Sequence, residues 1–440
     1  MNIELYWIFF AIITLVWLIF FNIKWKAERC KNLVDPFTVF SVGLFVYTAI
    51  GVYVQFVMAK YPAHVLLLFC ISVIIGYIAF SLGYISNTKA IDIEPMNCKI
   101  KFTLNSNIIK NWRISVLDAA MLLMLLLFIA IYNEVVFNMV FNFGSGLSYL
   151  DYAQRSERDA LTGPIALLER YFTLFLIAYP SYRMYKTHTV DVVSMVMIII
   201  VAMYNIASGQ RAILIYIMVA FLAFYNYRYK LISIRQLFAI GICGFLFLIS
   251  LGHLRAESNL IEMFSMFWQS GLQYIELTSS GEFINTVQTT LDYIGAINDG
   301  SMDFNYGYTW IVDLLIFIPT FLLPDRPLPW NEQYMLTFYP FAPAGTGHAG
   351  FILNEGYMSI GLIGVALELF AVGFVLAKVN SYFIKRKDNP LFLFVYAILI
   401  AYSFFIVRGS FLLSVKNYIL EVLPFAIMLM LFRDKKIYRS

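Results

Sequence analysis

Apolar residues run along this chain in blocks of roughly 17–23, the length of helix needed to cross a hydrocarbon core. Eleven such blocks are predicted as membrane-spanning helices: 5–23, 37–58, 63–85, 115–133, 165–182, 191–207, 211–227, 236–252, 356–377, 390–407 and 411–432. The first lacks a basic leading segment and a small-residue cleavage site, so it reads as a retained span. Two of the outer stretches are long. The pattern divides the chain into residues 1–252, carrying eight spans and a medium outer loop at about 134–164; a large extracytoplasmic loop at 253–355; and three final spans in 356–440. The expected fold is all-α, one integrated polytopic membrane domain.

The large loop has its own pattern. Leu260, Met263, Phe264, Phe267, Trp268 and Leu272 recur at helical spacing and predict an amphipathic helix. The run Trp310 to Leu323 is apolar for 14 residues, too short to span, so an interfacial or re-entrant helix is expected. The segment Pro324-Asp-Arg-Pro-Leu-Pro-Trp330 then interrupts helix, and Tyr334, Phe338, Tyr339 and Phe341 follow. Aromatic side chains at this depth anchor to headgroups or stack on the apolar faces of sugar rings.

Composition agrees with the pattern: 61% of residues are hydrophobic and 13% charged, beyond what a soluble domain can bury. Charge then orients the spans. Of 31 basic residues, 22 fall in alternate loops, from Lys24, Lys26, Arg29 and Lys31 to Arg433, Lys435, Lys436 and Arg439. These loops are therefore cytoplasmic, with the N-terminus outside and the C-terminus inside. The nine remaining cations are Lys60, Arg155, Arg158, Arg170, Arg211, Arg255, Arg326, Arg408 and Lys416, seven of them arginine. A planar guanidinium holds phosphate or carboxylate oxygens in two parallel bonds. It also contacts lipid phosphates or caps helices. The net charge of +4 gives no reason to expect nucleic acid. Cys30, Cys70, Cys98 and Cys243 have no metal-type spacing. Asn298-Asp-Gly-Ser-Met-Asp303 departs from a calcium loop and reads as a turn.

The loop ends in Ala344-Gly-Thr-Gly-His348-Ala-Gly350-Phe-Ile-Leu-Asn-Glu355-Gly-Tyr. Its glycines suit a hinge. His348 and Glu355, at the mouth of the ninth span, are candidate proton acceptors; the plainer alternatives are a backbone-bonded His348 and a Glu355 that caps a helix N-terminus. Within the spans, Glu368, Lys416 and Glu421 need partners at membrane depth, and a Lys416–Glu368 pair is expected.

An enzyme facing outward has no nucleotide sugars, so bond formation there needs a donor already activated. A sugar on a polyprenyl pyrophosphate fits, since its tail dissolves in lipid and its diphosphate sits at the interface. Arg211 in Ser208-Gly-Gln-Arg, Arg408 in Arg-Gly-Ser410, and Arg255 after the eighth span lie near that depth, with Arg158 as a fourth. They would neutralise the leaving pyrophosphate, a role often filled by a metal; no metal or other cofactor is expected.

The Ser-Gly-Gln-Arg211 turn, a second Arg opening a long outer loop, and the run from Gly345 through Asn-Glu355-Gly-Tyr to Gly361 and Gly364 resemble the O-antigen polymerase (Wzy-type) family. An Arg-x10-Gly pattern of some members is absent: eleven residues after Arg155, Arg158, Arg211 and Arg255 stand Ala166, Glu169, Leu222 and Met266. The resemblance implies a GT-C-like helical fold in the bacterial cytoplasmic (inner) membrane. It implies transfer of a growing glycan from undecaprenyl pyrophosphate to a lipid-linked repeat unit, with membrane lipid and a chain-length regulator protein as further partners. The expected site is then Arg211, Arg255, Arg408 and Arg158 on the pyrophosphate, with Glu355 or His348 on the acceptor hydroxyl. Two rivals are an O-antigen ligase using the same donor and a flippase or transporter. The odd span count, the lack of repeats and the lopsided loop stand against the latter.

Overall fold

A computed structural model describes residues 2–27, 32–58, 60–87, 101–102, 189–190, 211–253, 283–318, 322–323, 325–341, 349–386 and 389–431, with scattered positions between 171 and 202. Helices dominate: α1 (Asn2–Ala27), α2 (Pro36–Met58), α3 (Ala63–Ile85), α4 (Arg211–Arg228), α5 (Ile234–His253), α6 (283–298), α7 (Tyr308–Leu315), α8 (Trp330–Phe338), α9 (Leu353–Ile360), α10 (Leu362–Ile384), α11 (Pro390–Ile406) and α12 (Phe411–Leu431). Among the described residues the sole strand pairing is parallel, Lys101 with Thr189 and Phe102 with Val190. It joins two loops that the charge pattern puts on one side.

Four helices are long and apolar enough to cross a membrane, Glu4–Lys26, Pro36–Val57, Ala63–Ile85 and Leu362–Ile384, and Leu214–Arg228 and Leu391–Ile406 are shorter apolar helices. All fall on expected spans. The fourth expected span, 115–133, lies outside the described residues, as do the outer loop at 134–164 and the amphipathic segment at 260–272.

The chain forms two compact units. The first comprises Met1–Ile93, Ile275–Lys385 and Leu399–Tyr418; the second Glu94–Tyr274, Arg386–Ile398 and Ile419–Ser440. In the first unit α3 and α10 pack backbone to backbone. A Cβ on Gly83 would lie 2.2 Å from the Phe370 carbonyl oxygen, and one on Gly373 would lie 2.1 Å from that of Phe80. Small residues allow this approach, and close packing drives helix association where lipid is as apolar as the side chains. Phe37, Phe40, Phe80 and Tyr84 stack beside the crossing, and Asn380 donates to the Tyr84 hydroxyl at 2.7 Å. At this same end Lys24 is buried against Asp35 at 2.5 Å and Thr38 at 3.1 Å, tying α1 to the start of α2. This lysine is a structural partner as well as a topology marker.

The opposite end gathers the outer segments. Tyr61, between α2 and α3, donates to Asp292 of α6 at 2.6 Å, and Tyr334 of α8 donates to the other oxygen of Asp292, also at 2.6 Å. The Ile352 N–H bonds the Val407 carbonyl at 3.1 Å. Segments predicted to share one side therefore meet at one end. In the second unit, Tyr227 of α4 and Tyr396 of α11 share a hydroxyl–hydroxyl bond of 2.8 Å.

Helix α7 begins the short apolar run expected at the interface. Its buried face carries Thr309, Val312 and Asp313, whereas Ile311 and Leu314 are each 57% exposed. A soluble helix buries its apolar stripe; this one exposes it and turns its carboxylate inward, as suits contact with acyl chains. Arg326 Nη1 donates to the Ile318 carbonyl at 3.2 Å just past the end of α7, so this outer cation serves as a cap.

Candidate functional site

The sequence predicts one helix through 356–377, but the structure has two. Gly361 adopts φ 68°, ψ −141°, a conformation open to glycine because it has no Cβ, and it separates α9 from α10. The short helix folds against the first turns of the long one. A Cβ on Gly364 would lie 2.0 Å from the Gly356 oxygen, and one on Gly356 would lie 2.7 Å from Gly364. The fold-back brings Glu355 to Glu368. Hydrogen bonds fix the first turn of α9 from the side: Asn354 Nδ2 donates to Thr289 Oγ1 at 2.9 Å, and Thr290 Oγ1 donates to Asn354 Oδ1.

A third carboxyl arrives from α7. Asp313 Oδ2 accepts the Ser410 hydroxyl at 2.6 Å, and Asp313 also interacts with Glu355. Ser410 has a second task. Its Oγ accepts the Leu413 N–H at 3.2 Å, the bond of an N-cap side chain, and so starts α12. Trp310, one turn before Asp313, donates Nε1 to Glu368 at 3.5 Å. Exposure is 0% at Asp313, 3% at Glu355 and 8% at Glu368.

Three full negative charges do not coexist in such a place. Two carboxylates about 4 Å apart repel by roughly 4 kcal/mol at an effective dielectric of 20, and burial penalises each charge separately. Burial, followed by the neighbouring charges of Glu368 and Asp313, holds the Glu355 carboxyl well above the usual carboxylate range. Burial likewise raises Asp313. One oxygen on each of the three, Asp313 Oδ1, Glu355 Oε1 and Glu368 Oε1, is buried without a hydrogen-bond partner. Among the described residues no group of three or more acidic, histidine or cysteine side chains is arranged to hold a metal ion.

The expected Lys416–Glu368 pair is not formed. Glu368 has Trp310 and Glu355 as neighbours, and Lys416 stands within electrostatic range of Arg326. Spacing suggested a match of opposite charges; the fold-back at Gly361 supplied carboxyls instead.

Of the six site residues expected from sequence, the structure brings two into one neighbourhood. Glu355 is in the carboxyl cluster. Arg408, partly exposed, opens the turn that ends at Ser410, and the Ile352–Val407 bond ties that turn to the chain just before α9. Arg211 starts α4, and its side chain lies outside the described residues, as do Arg158, Arg255 and His348 altogether. Sequence reasoning missed Asp313 and Ser410. The signal for Asp313 was available, a lone acid amid Trp310, Ile311, Val312, Leu314 and Leu315; nothing in the spacing points to Ser410.

The aromatic stretch forms a frame around Asp292. Tyr293, Trp330, Tyr334, Met335 and Met358 form a buried cluster with Phe338 and Tyr339 against it, and Gln288 Nε2 donates to the Tyr339 hydroxyl at 2.6 Å. Burial, then the bond to Asp292, raises the Tyr61 and Tyr334 phenols, so both remain donors. Gly350 lies where a Cβ would meet the Trp330 ring at 1.6 Å, which makes it a packing glycine. The stretch 298–303 is the turn expected, with Gly300 at φ 78° and Ser301 N–H bonded to Asp299 at 2.9 Å.

No curated protein matches this chain, and no solved structure does. A family model does, described as O-antigen polysaccharide polymerase Wzy, over residues 1–436. Polysaccharide polymerisation is glycosyl transfer, and a multi-pass helical chain suits a lipid-linked substrate. Since the match runs through all the helices described above, the chain belongs to the O-antigen polysaccharide polymerase Wzy family.

Proposed function

We propose that this protein extends a polysaccharide on the outer face of the bacterial inner membrane. The growing glycan passes from undecaprenyl pyrophosphate to the sugar of a lipid-linked repeat unit. The acceptor hydroxyl oxygen forms the new bond to the anomeric carbon while the bond from that carbon to the pyrophosphate oxygen breaks. The pyrophosphate departs with the electron pair, and the hydroxyl proton passes to a base. The observation that carries this reading is the meeting of an arginine turn and a carboxyl cluster in a family of polysaccharide polymerases.

Arg408, with Arg211, Arg255 and Arg158, neutralises charge developing on the leaving diphosphate, so the transfer is metal-independent. His348 and Glu355 are the candidates for orienting the acceptor and taking its proton. Glu355, buried among carboxyls, suits a group that holds or receives a proton. Eleven spans, a GT-C-like arrangement, an outside N-terminus and a cytoplasmic C-terminus complete the reading, with a chain-length regulator as protein partner.

The test is extension of a lipid-linked repeat unit by purified protein in detergent, without an ion gradient. Arg211→Ala and Arg408→Ala are expected to abolish polymer, and Arg408→Lys to restore part, because a lysine keeps the charge and loses the planar fork. Full extension by both alanine variants at normal membrane abundance rejects the pyrophosphate assignment.

A further inference from the structure

Asp313 stands between the two candidate functional groups that the described residues bring together. Its Oδ2 accepts the Ser410 hydroxyl at 2.6 Å, and Ser410 closes the turn begun by Arg408. Its carboxyl also interacts with that of Glu355. Asp313 Oδ1 and Glu355 Oε1 are both buried without a hydrogen-bond partner. Two acceptor-only groups brought together in this way are satisfied by one proton held between them, as in paired carboxyls elsewhere. The inward turn of Asp313 on a helix with an apolar outer face has no packing reason, since leucine there would bury more favourably.

We infer that Asp313 is a positioning residue of the transfer site, sharing one proton with Glu355 and fixing the Arg408 turn through Ser410. The inference rests on the proposed function and adds a division of labour to it. The groups facing Glu355 can be named. From α7 it is Asp313; from α10, Glu368; from the turn before α12, Ser410, with Arg408 two residues away. The α6 side offers the uncharged Thr289 and Thr290, bonded to Asn354, and α3 offers Gly76 against Leu353. Loss of the shared proton adds a second negative charge beside the turn that grips a diphosphate, so its retention keeps that turn receptive.

Two measurements test this on the full-length protein. In infrared difference spectra of membranes near neutral pH, wild type is expected to show a protonated-carboxyl band that Glu355→Gln removes and Asp313→Asn shifts in frequency, because the second acceptor of the proton is gone. A band unchanged in both variants overturns the shared proton, and this readout does not depend on turnover. In the extension assay with the lipid-linked repeat unit, Asp313→Asn is expected to move the alkaline limb of the pH–rate profile down by about one unit or more, because a neighbouring charge is gone and the proton leaves Glu355 at lower pH. Ser410→Ala should raise KM for the donor several-fold, because the Arg408 turn loses its tie to Asp313. An unmoved profile in Asp313→Asn, or an unmoved KM in Ser410→Ala, overturns the corresponding half. Wild-type protein that never extends the repeat unit strikes the functional reading instead, and the infrared result still decides the proton.

Discussion

Gly364→Ala is the smallest change that should disable the site without touching any ionisable group. The added methyl would sit 2.0 Å from the Gly356 carbonyl oxygen. An ordinary carbon–oxygen contact is about 3.3 Å, so α9 and α10 must part by roughly 1 Å. Both partners are backbone, so no side chain can rotate away. Overpacking of this kind costs about 1–3 kcal/mol of stability, which a membrane-embedded bundle tolerates. Catalysis tolerates it less, since a displacement of about 1 Å costs on the order of a hundredfold in rate, and this one separates Glu355 from Glu368. Gly295→Ala is the control. It lies within α6 with nothing within 4 Å of its added methyl, and alanine in a helix interior gains about 1 kcal/mol over glycine. Initial rates of polymer extension, normalised to folded protein by fluorescence-detected size exclusion, should fall by about two orders of magnitude in Gly364→Ala and stay at wild-type level in Gly295→Ala. A Gly364→Ala protein that extends polymer at the wild-type rate would refute the role of the fold-back.

Asp35→Ala strands the Lys24 ammonium, 2% exposed, in the packed end of α1 and α2. Loss of one partner of a buried pair should lower stability by about 3–5 kcal/mol, read as a fall in melting temperature in detergent, while removing both charges as Lys24→Met with Asp35→Leu should recover most of it. The Glu355 proton gives a sign for pH dependence. Its folded pKa is raised above the ordinary value of 4.5, so the native state keeps a proton that the unfolded chain releases. Its contribution is complete below about 4.5 and is lost as pH rises through the folded value. Melting temperature should therefore decline more steeply as pH rises above about 5 in wild type than in Glu355→Gln. Equal slopes would contradict the buried acid.

The spans were legible because lipid imposes one rule on any stretch of chain, roughly 20 apolar residues with backbone bonds closed locally. That rule needs no knowledge of neighbours, so α1, α2, α3, α4, α5, α11 and α12 overlie expected segments, whereas the expected segment at 356–377 is split at Gly361 into α9 and α10. Aromatic clustering after Pro324 and the turn at Asn298 were visible as composition and turn chemistry. The partners of individual groups were not. Lys24 counts as one more cytoplasmic cation until its burial against Asp35 is seen, and Gly350 reads as hinge material until Trp330 is found against it.

The sequence alone determined a membrane chain, its helical segments and a resemblance that the family match bears out. Tertiary structure decided which acids meet. Glu355 and Glu368 come together because Gly361 breaks the helix and Gly356 and Gly364 let its halves touch; Asp313 and Ser410, 97 positions apart, meet because α7 turns its polar face inward. Hydrophobic patterning is a one-body property of each segment, set by solvent. A carboxyl cluster is a many-body property, and its members carry no mark of one another until the chain has folded.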